Sequence, residues 1–312
     1  MHRGAVQRLL GREDQLTGTR HRDDRDEPTV TNQSPPGPDG AAAGPPDGTA
    51  TRATGTPLLE LRGISKNFGA VQALVDVTLE IPSGQVTALI GDNGAGKSVL
   101  IKCISGIHVP EAGQFFWEGS PVRIHAPRDA AALGIETVHQ DLALCNNLDI
   151  VQNMFLGRER VKHFALAEED MEKAAGATLS SLAVTTVRSI RQPVASLSGG
   201  QRQSVAIAKA VLWNSKLVIM DEPTAALGVA QTRMVLDLVR RLADRGLAVL
   251  LVSHNMNDVF EVADRVAVLR LGRMVAVRPV TDVDTQVVVD LMTTGVSSRM
   301  RGAGSVTGDG AS

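Results

Sequence analysis

Cysteine is nearly missing from this chain: Cys103 and Cys145 are the only two in 312 residues. That is too few for a disulfide framework and suits a reducing compartment. Long apolar runs are missing too. No uninterrupted stretch reaches the ~18 residues of a membrane-crossing helix, and the N-terminus has Arg3 and Arg8 but no apolar core of signal-peptide length. Excess charge of either sign is likewise absent. Lys and Arg total 32 against 34 Asp and Glu, so no global field favours nucleic acid or a membrane surface. A soluble α/β protein with no nucleic-acid partner is expected.

The first 56 residues lack large apolar side chains almost entirely between Pro35 and Thr56, where Pro, Gly, Ala and Thr dominate. Such a stretch cannot bury enough surface to offset its ordering entropy. Residues 1–56 are read as a disordered extension, the mixed charges of Arg20 to Glu27 as solvation, and 298–312 as a flexible Gly- and Ser-rich tail. About 240 residues, 57–297, remain for one domain with a large core.

What is present is concentrated in short motifs. Residues 91–98 read Gly-Asp-Asn-Gly-Ala-Gly-Lys-Ser, with Val99 following. Gln85 to Ile90 before them is an apolar run suited to a buried parallel strand. Gly91, Gly94 and Gly96 let the backbone turn sharply and bring N–H groups, including those of Asp92, Asn93 and Ala95, close to a phosphate chain. The helix expected over Gly96 to Ser105 points its positive end at those phosphates. Lys97 would reach the β- and γ-phosphates of ATP, and the Ser98 hydroxyl would sit on Mg²⁺. A glycine-rich turn without a ligand is the alternative; eight fitting positions in a strand–helix context argue against it. Cys103, inside this helix, reads as a buried thiol.

Lys216 to Glu222 (Lys-Leu-Val-Ile-Met-Asp-Glu) is a second buried strand, with two carboxylates at the end where ligands gather in α/β sheets. Asp221 suits the Mg²⁺ site and Glu222 the general base for an attacking water. Ser198-Gly-Gly-Gln201 has the spacing of a capping box opening a helix from Gly199 to about Trp213. Capping accounts for Ser198 and Gln201 but not for Gly199 and Gly200, which cost helix stability and permit close approach of an anion.

Together, residues 91–98 and the Leu-Ser-Gly-Gly-Gln-Arg-Gln of 197–203 resemble the ATP-binding subunits of ABC transporters. The resemblance covers roughly residues 57–295. It implies a P-loop NTPase of the ABC ATPase type: α/β, a mostly parallel core sheet, an antiparallel β part, and a helical subdomain at about 141–212 carrying the signature. By resemblance, Ser198, Gly199, Gly200 and Gln201 contact the γ-phosphate of ATP held by the opposite subunit, so a homodimer is expected. Gln140 corresponds to the glutamine that touches Mg²⁺ or the water and answers to the membrane partner. His254 corresponds to the histidine contacting the γ-phosphate, and Phe68 to the aromatic that stacks on adenine. Gly228 departs from the family, which has an acidic residue there that couples the two ATP sites.

The resemblance extends to a subfamily. Residues 138–144 (Val-His-Gln-Asp-Leu-Ala-Leu), 153–159 (Asn-Met-Phe-Leu-Gly-Arg-Glu) and 220–229 (Met-Asp-Glu-Pro-Thr-Ala-Ala-Leu-Gly-Val) are similar to ATPases of simple-sugar importers. Many of those carry two fused nucleotide-binding domains, and the fructose type carries one, as here. The implied setting is the cytoplasmic face of the cell membrane, bound to permease subunits that an extracytoplasmic sugar-binding protein serves. Residues 141–157, including Leu144, Leu148, Met154 and Phe155, would either form the groove for a permease helix or pack inside the helical part. A ribosome-acting ATPase would carry two tandem domains, and a DNA-repair ATPase a long coiled coil between P-loop and signature; neither is present. An ABC transporter ATPase for another substrate, or for export, is the alternative left open.

Along the rest of the chain, strands are expected at Leu58 to Leu61, Leu74 to Ile81, Ile135 to Val138, Leu247 to Val252 and Arg265 to Leu269. A hairpin is expected over Gln114 to Ile124, and helices at Ala167 to Leu182, Asn255 to Val262 and Asp282 to Met292.

Overall fold

The computed structural model describes residues 55–297, Thr185 excepted. The extension expected over 1–56 lies outside it apart from residues 55 and 56, as does the tail over 298–312. The described chain opens on two long antiparallel strands, β1 (Leu59–Phe68) and β2 (Val71–Ile81), whose apolar positions Leu59, Leu61, Leu74, Val77, Leu79 and Ile81 are buried. Then come β3 (Val86–Ile90), buried along its whole length, and α1 (Lys97–Ile104). A hairpin of β4 (Ala112–Trp117) and β5 (Ser120–Val122) follows, then α2 (Pro127–Leu133) and β6 (Ile135–Val138). The next segment holds α3 (Ile150–Phe155), a two-residue-per-strand ribbon of β7 (Val161–Lys162) and β8 (Ala165–Leu166), α4 (Glu168–Ser181) and α5 (Gly199–Val211). The remainder alternates: β9 (Leu217–Asp221), α6 (Val229–Asp244), β10 (Ala248–Val252), α7 (Met256–Val262), β11 (Arg265–Arg270), β12 (Arg273–Pro279) and α8 (Thr285–Thr294).

Two sheets organise these elements. One is antiparallel, in the order β2-β1-β4-β5; the other runs β12-β11-β3-β10-β9-β6, parallel except for β12 at its edge. The parallel strands are apolar on both faces because both faces are covered. Side-chain alternation divides them between two cores. Val86, Ala88, Ile90, Val218, Met220, Val249 and Leu251 pack with α3 to α8. Leu89, Leu217, Ile219, Leu250 and Val252 pack with α1 and the antiparallel sheet. Buried Cys103 of α1 belongs to this second core, and burial pushes its thiol pKa up to about 11, so it stays protonated.

Most expected elements are present, some with different extents. The first two strands continue much further along the hairpin, and the signature helix ends at Val211 rather than Trp213. Residues 141–149 are not helical; the first helical turn after Gln140 begins at Ile150. The α2 and α6 helices, the edge strand β12 and the β7–β8 ribbon were not anticipated.

The sheet order positions the functional residues. Strands β3, β10, β9 and β6 are consecutive neighbours. Residues 91–98, His254, Asp221 with Glu222, and Gln140 follow their four C-terminal ends, side by side along one edge of the sheet.

Candidate active site

The turn after β3 is shaped by contacts that exclude side chains. A Cβ on Gly91 would collide with the Leu269 carbonyl oxygen of β11. Gly96 has φ +106°, and a Cβ there would lie 2.7 Å from the Ala73 carbonyl of β2. Gly96 also caps α1 without a side-chain hydrogen bond, so the first-turn N–H groups are left for another acceptor. The Lys97 ammonium donates to the carbonyls of Gly91 at 2.5 Å and Asp92 at 3.0 Å.

A cavity of about 580 Å³ opens over this turn. Its walls include Asp92, Asn93, Gly94, Ala95, Gly96, Lys97, Ser98 and Val99 together with Gln140, Asp221, Glu222 and His254. Gly91 is not among the residues lining it. Ala225, just past Glu222, and Val71, Gln72, Ala73, Leu271 and Gly272 complete the lining; the sequence did not point to the last five because they belong to strand ends distant along the chain. Their position is fixed by backbone bonds from Val75 N to Gly272 O (2.8 Å) and from Gly272 N to Ala95 O (2.9 Å).

Glu222 sits just past β9 with left-handed backbone, φ +50°. This conformation costs about 1 kcal/mol for a residue with a Cβ. It is held by a bond from Glu222 N to Val252 O at 2.9 Å, which ties it to β10. Its Oε2 lies 2.8 Å from the Nδ1 of the exposed His254. Asp221 is half-buried. Burial first, and then the neighbouring Glu222 charge, raise its carboxyl above the ordinary range, against opposing pulls from His139, Lys97 and Lys102.

Two sequence candidates stand apart from this cavity. Phe68 is 45% exposed and meets His108 edge-on at 5.2 Å; its strand partner Val71 lines the cavity, but Phe68 does not. Ser198 to Gln201 open α5 in a capping box: Ser198 Oγ accepts from Gln201 N (3.3 Å), and Gln201 Oε1 accepts from Ser198 N (2.9 Å). The Gln201 amide also donates to the Thr186 carbonyl at 2.6 Å. Gly200 has a packing reason that capping alone did not supply: a Cβ there would meet Met234 and Gln231 of α6 within 3.0 Å.

Around Gln140 and α3, Asn153, which stands at the head of the 153–159 motif with no role assigned from sequence, organises the loop. Its fully buried side chain accepts from Cys145 N (2.7 Å) and donates to the carbonyls of Cys145, Leu148 and Asp149, fixing the irregular loop before α3. Met154 and Phe155 are buried in the helical core, whereas Leu148 lines a smaller cleft of about 210 Å³ with Val151, Phe155, Leu156, Leu166 and Met171.

A family profile described as "ABC transporter" matches residues 74–225. A xylose/arabinose import ATP-binding protein of Sulfolobus acidocaldarius is 46% identical over 236 residues, covering 76% of this chain and 94% of that protein. A fructose import ATP-binding protein of Rhizobium meliloti is 50% identical over 228 residues, covering 71% and 88%. A nucleotide-free ATP-binding cassette from an ABC transporter superimposes with a TM-score of 0.65 at 26% identity, over 74% of this chain and 97% of that one. The chain belongs to the ABC transporter family, as one of its ATP-binding, ATP-hydrolysing cassettes.

Proposed function

We propose that residues 57–297 form a cassette that powers import of a simple sugar through a membrane permease. The observation that carries this reading is the convergence of 92–99, Gln140, Asp221, Glu222 and His254 on one cavity, in a chain whose relatives are named for import of xylose/arabinose and fructose.

The chemistry follows from the residues. The Lys97 ammonium exchanges two carbonyl partners for phosphate oxygens. The uncapped first turn of α1 receives the same phosphates. Ser98, Gln140 and Asp221 offer a hydroxyl, an amide oxygen and a carboxylate to one cavity, a donor set that fits Mg²⁺. The raised Asp221 carboxyl fits as well, since a nearby cation would offset the repulsion from Glu222. When bound, Mg²⁺ would neutralise charge on the β- and γ-phosphates. Glu222 takes the proton of the attacking water, and His254, 2.8 Å from Glu222, is placed to contact the γ-phosphate. The products are ADP and phosphate.

Ser198 to Gln201 do not line their own chain's cavity, which supports completion of each site by a second copy in a closed head-to-tail pair. The cleft beside Leu148 and Phe155, rimmed by Gln152, Glu159, Glu168 and Arg191, suits a short apolar segment of the permease. Among the described residues no helix is long and apolar enough to cross a membrane; in this reading the cassette sits at the cytoplasmic face, docked on the permease. Sugar recognition belongs to the permease and an external binding protein.

Glu222→Gln protein purified from its own membrane with ATP tests this reading. Expected are bound ATP, loss of hydrolysis, accumulation of a dimer, and recovery of a polytopic permease with a sugar-binding protein. Recovery of ribosomes, or of soluble partners alone, would overturn the transport reading.

A further inference from the structure

Thr224 lies two residues after Glu222, and Asn255 directly follows His254; both donate to a single carboxylate. Thr224 Oγ1 reaches Asp258 Oδ2 at 2.6 Å, and Asn255 Nδ2 reaches Asp258 Oδ1 at 2.9 Å. Asp258 is 5% exposed, and no cation pairs with it among the described residues. Burying such a group is costly unless its hydrogen bonds are made; here both oxygens are occupied.

The surrounding bonds show what the carboxylate joins. On one side is the tight turn after β9, in which Ala225 N donates to Glu222 O at 3.1 Å. On the other is the start of α7, where Asn255 accepts from Asn257 N at 3.0 Å and donates through its own N–H to Ser253 Oγ at 3.1 Å. These bonds orient the Asn255 amide so that its NH₂ faces Asp258. An acidic residue in a first helical turn is favoured by the helix dipole alone. The dipole does not account for a bond to Thr224, 34 residues away on another element.

We propose that Asp258 is a positioning residue that fastens the turn bearing Glu222 to the loop bearing His254, and so maintains their 2.8 Å contact. This rests on reading Glu222 and His254 as the hydrolytic pair. Asp258 does not line the cavity. It acts by holding two strand-end segments in one register, as a displacement of about 1 Å in such a site can cost up to a hundredfold in rate.

The test is steady-state ATPase kinetics together with nucleotide affinity, on Thr224→Val, Thr224→Ser, Asp258→Asn and the Thr224→Val/Asp258→Asn pair. Thr224→Val is expected to lower kcat by about tenfold or more with ATP Kd within about twofold, because phosphate binding does not pass through this bond. Thr224→Ser keeps the hydroxyl and restores turnover. The double variant should be no slower than the slower single one, since both cut one link. Unchanged kcat in Thr224→Val and Asp258→Asn would overturn the proposal, as would a parallel loss of ATP affinity. Glu222→Gln measured alongside separates the two claims. Its inactivity with full turnover in Thr224→Val sinks only the positioning role, whereas full turnover in Glu222→Gln sinks the reading of the site beneath it.

Discussion

Asp221 carries the least comfortable charge in the nucleotide site. Burial and then the adjacent Glu222 raise its folded pKa above the unfolded value. The ionised carboxylate therefore costs stability at neutral pH in the nucleotide-free protein, and the cost fades as pH falls through the folded pKa. Asp221→Asn should raise the Tm of the nucleotide-free protein at pH 7, and its advantage should shrink as pH drops into the carboxylate range. The same variant should lose the Mg²⁺-dependent increment in Tm seen with ATP. A lower Tm at pH 7 for the variant would contradict this account of the site. At this scale the strand and turn context of Lys97, Ser98, Asp221 and Glu222 was legible because it is local, and the four do line one cavity. The sequence did not reveal the roles of Asp258 and Asn153, one joined to a residue 34 positions away and the other buried against a loop that has no regular pattern.

Among the elements, α6 shows how a missing signal hides a helix. Its apolar face is strong, with Val235, Leu236, Leu238, Val239, Leu242 and Ala243 buried. Yet its N-cap is Gly228, which offers no side chain to the first turn, so the start signal of Ser, Thr, Asp or Asn is absent. The short ribbon β7–β8 and the edge strand β12 escaped for related reasons. Two residues are too few to show alternation, and a half-exposed edge strand ending in Pro279 reads as irregular. Gly228 has extended backbone, and a Cβ built on it would meet nothing within 4 Å. Gly228→Asp should therefore be accepted without strain and should stabilise the monomer by about 0.5 kcal/mol, through capping and the helix dipole. A chemical-denaturation midpoint shifted downward would show that the open space is needed. Placing an acidic residue at this position also probes coupling between paired sites, read as a change in the Hill coefficient for ATP.

For the whole molecule, the separation of Ser198 to Gln201 from the cavity leads to a mixing prediction. Lys97→Ala disables a phosphate site but leaves a signature; Ser198→Arg does the reverse. Each alone should be inactive. Mixed in equal amounts, half of the pairs are hybrids with one intact composite site, so about a quarter of wild-type activity should return if the sites work independently. No recovery on mixing would argue that each chain completes its own site. The general architecture was legible because the parallel strands are short, apolar and bounded by turns, while the order in which they lie side by side was not, since adjacency depends on which crossovers the helices make. That order has a mechanical side. Strand β3, with the phosphate turn, is clamped between β10 and β11, whereas β6, which leads to Gln140, has β9 as its single sheet neighbour among the described residues. The two lie three strand spacings apart, about 14 Å. With one ladder partner instead of two, β6 has fewer backbone restraints than β3, so a shift imposed at the phosphate turn would cross β10 and β9 before it reached Gln140, and would meet less ladder resistance there than at its origin.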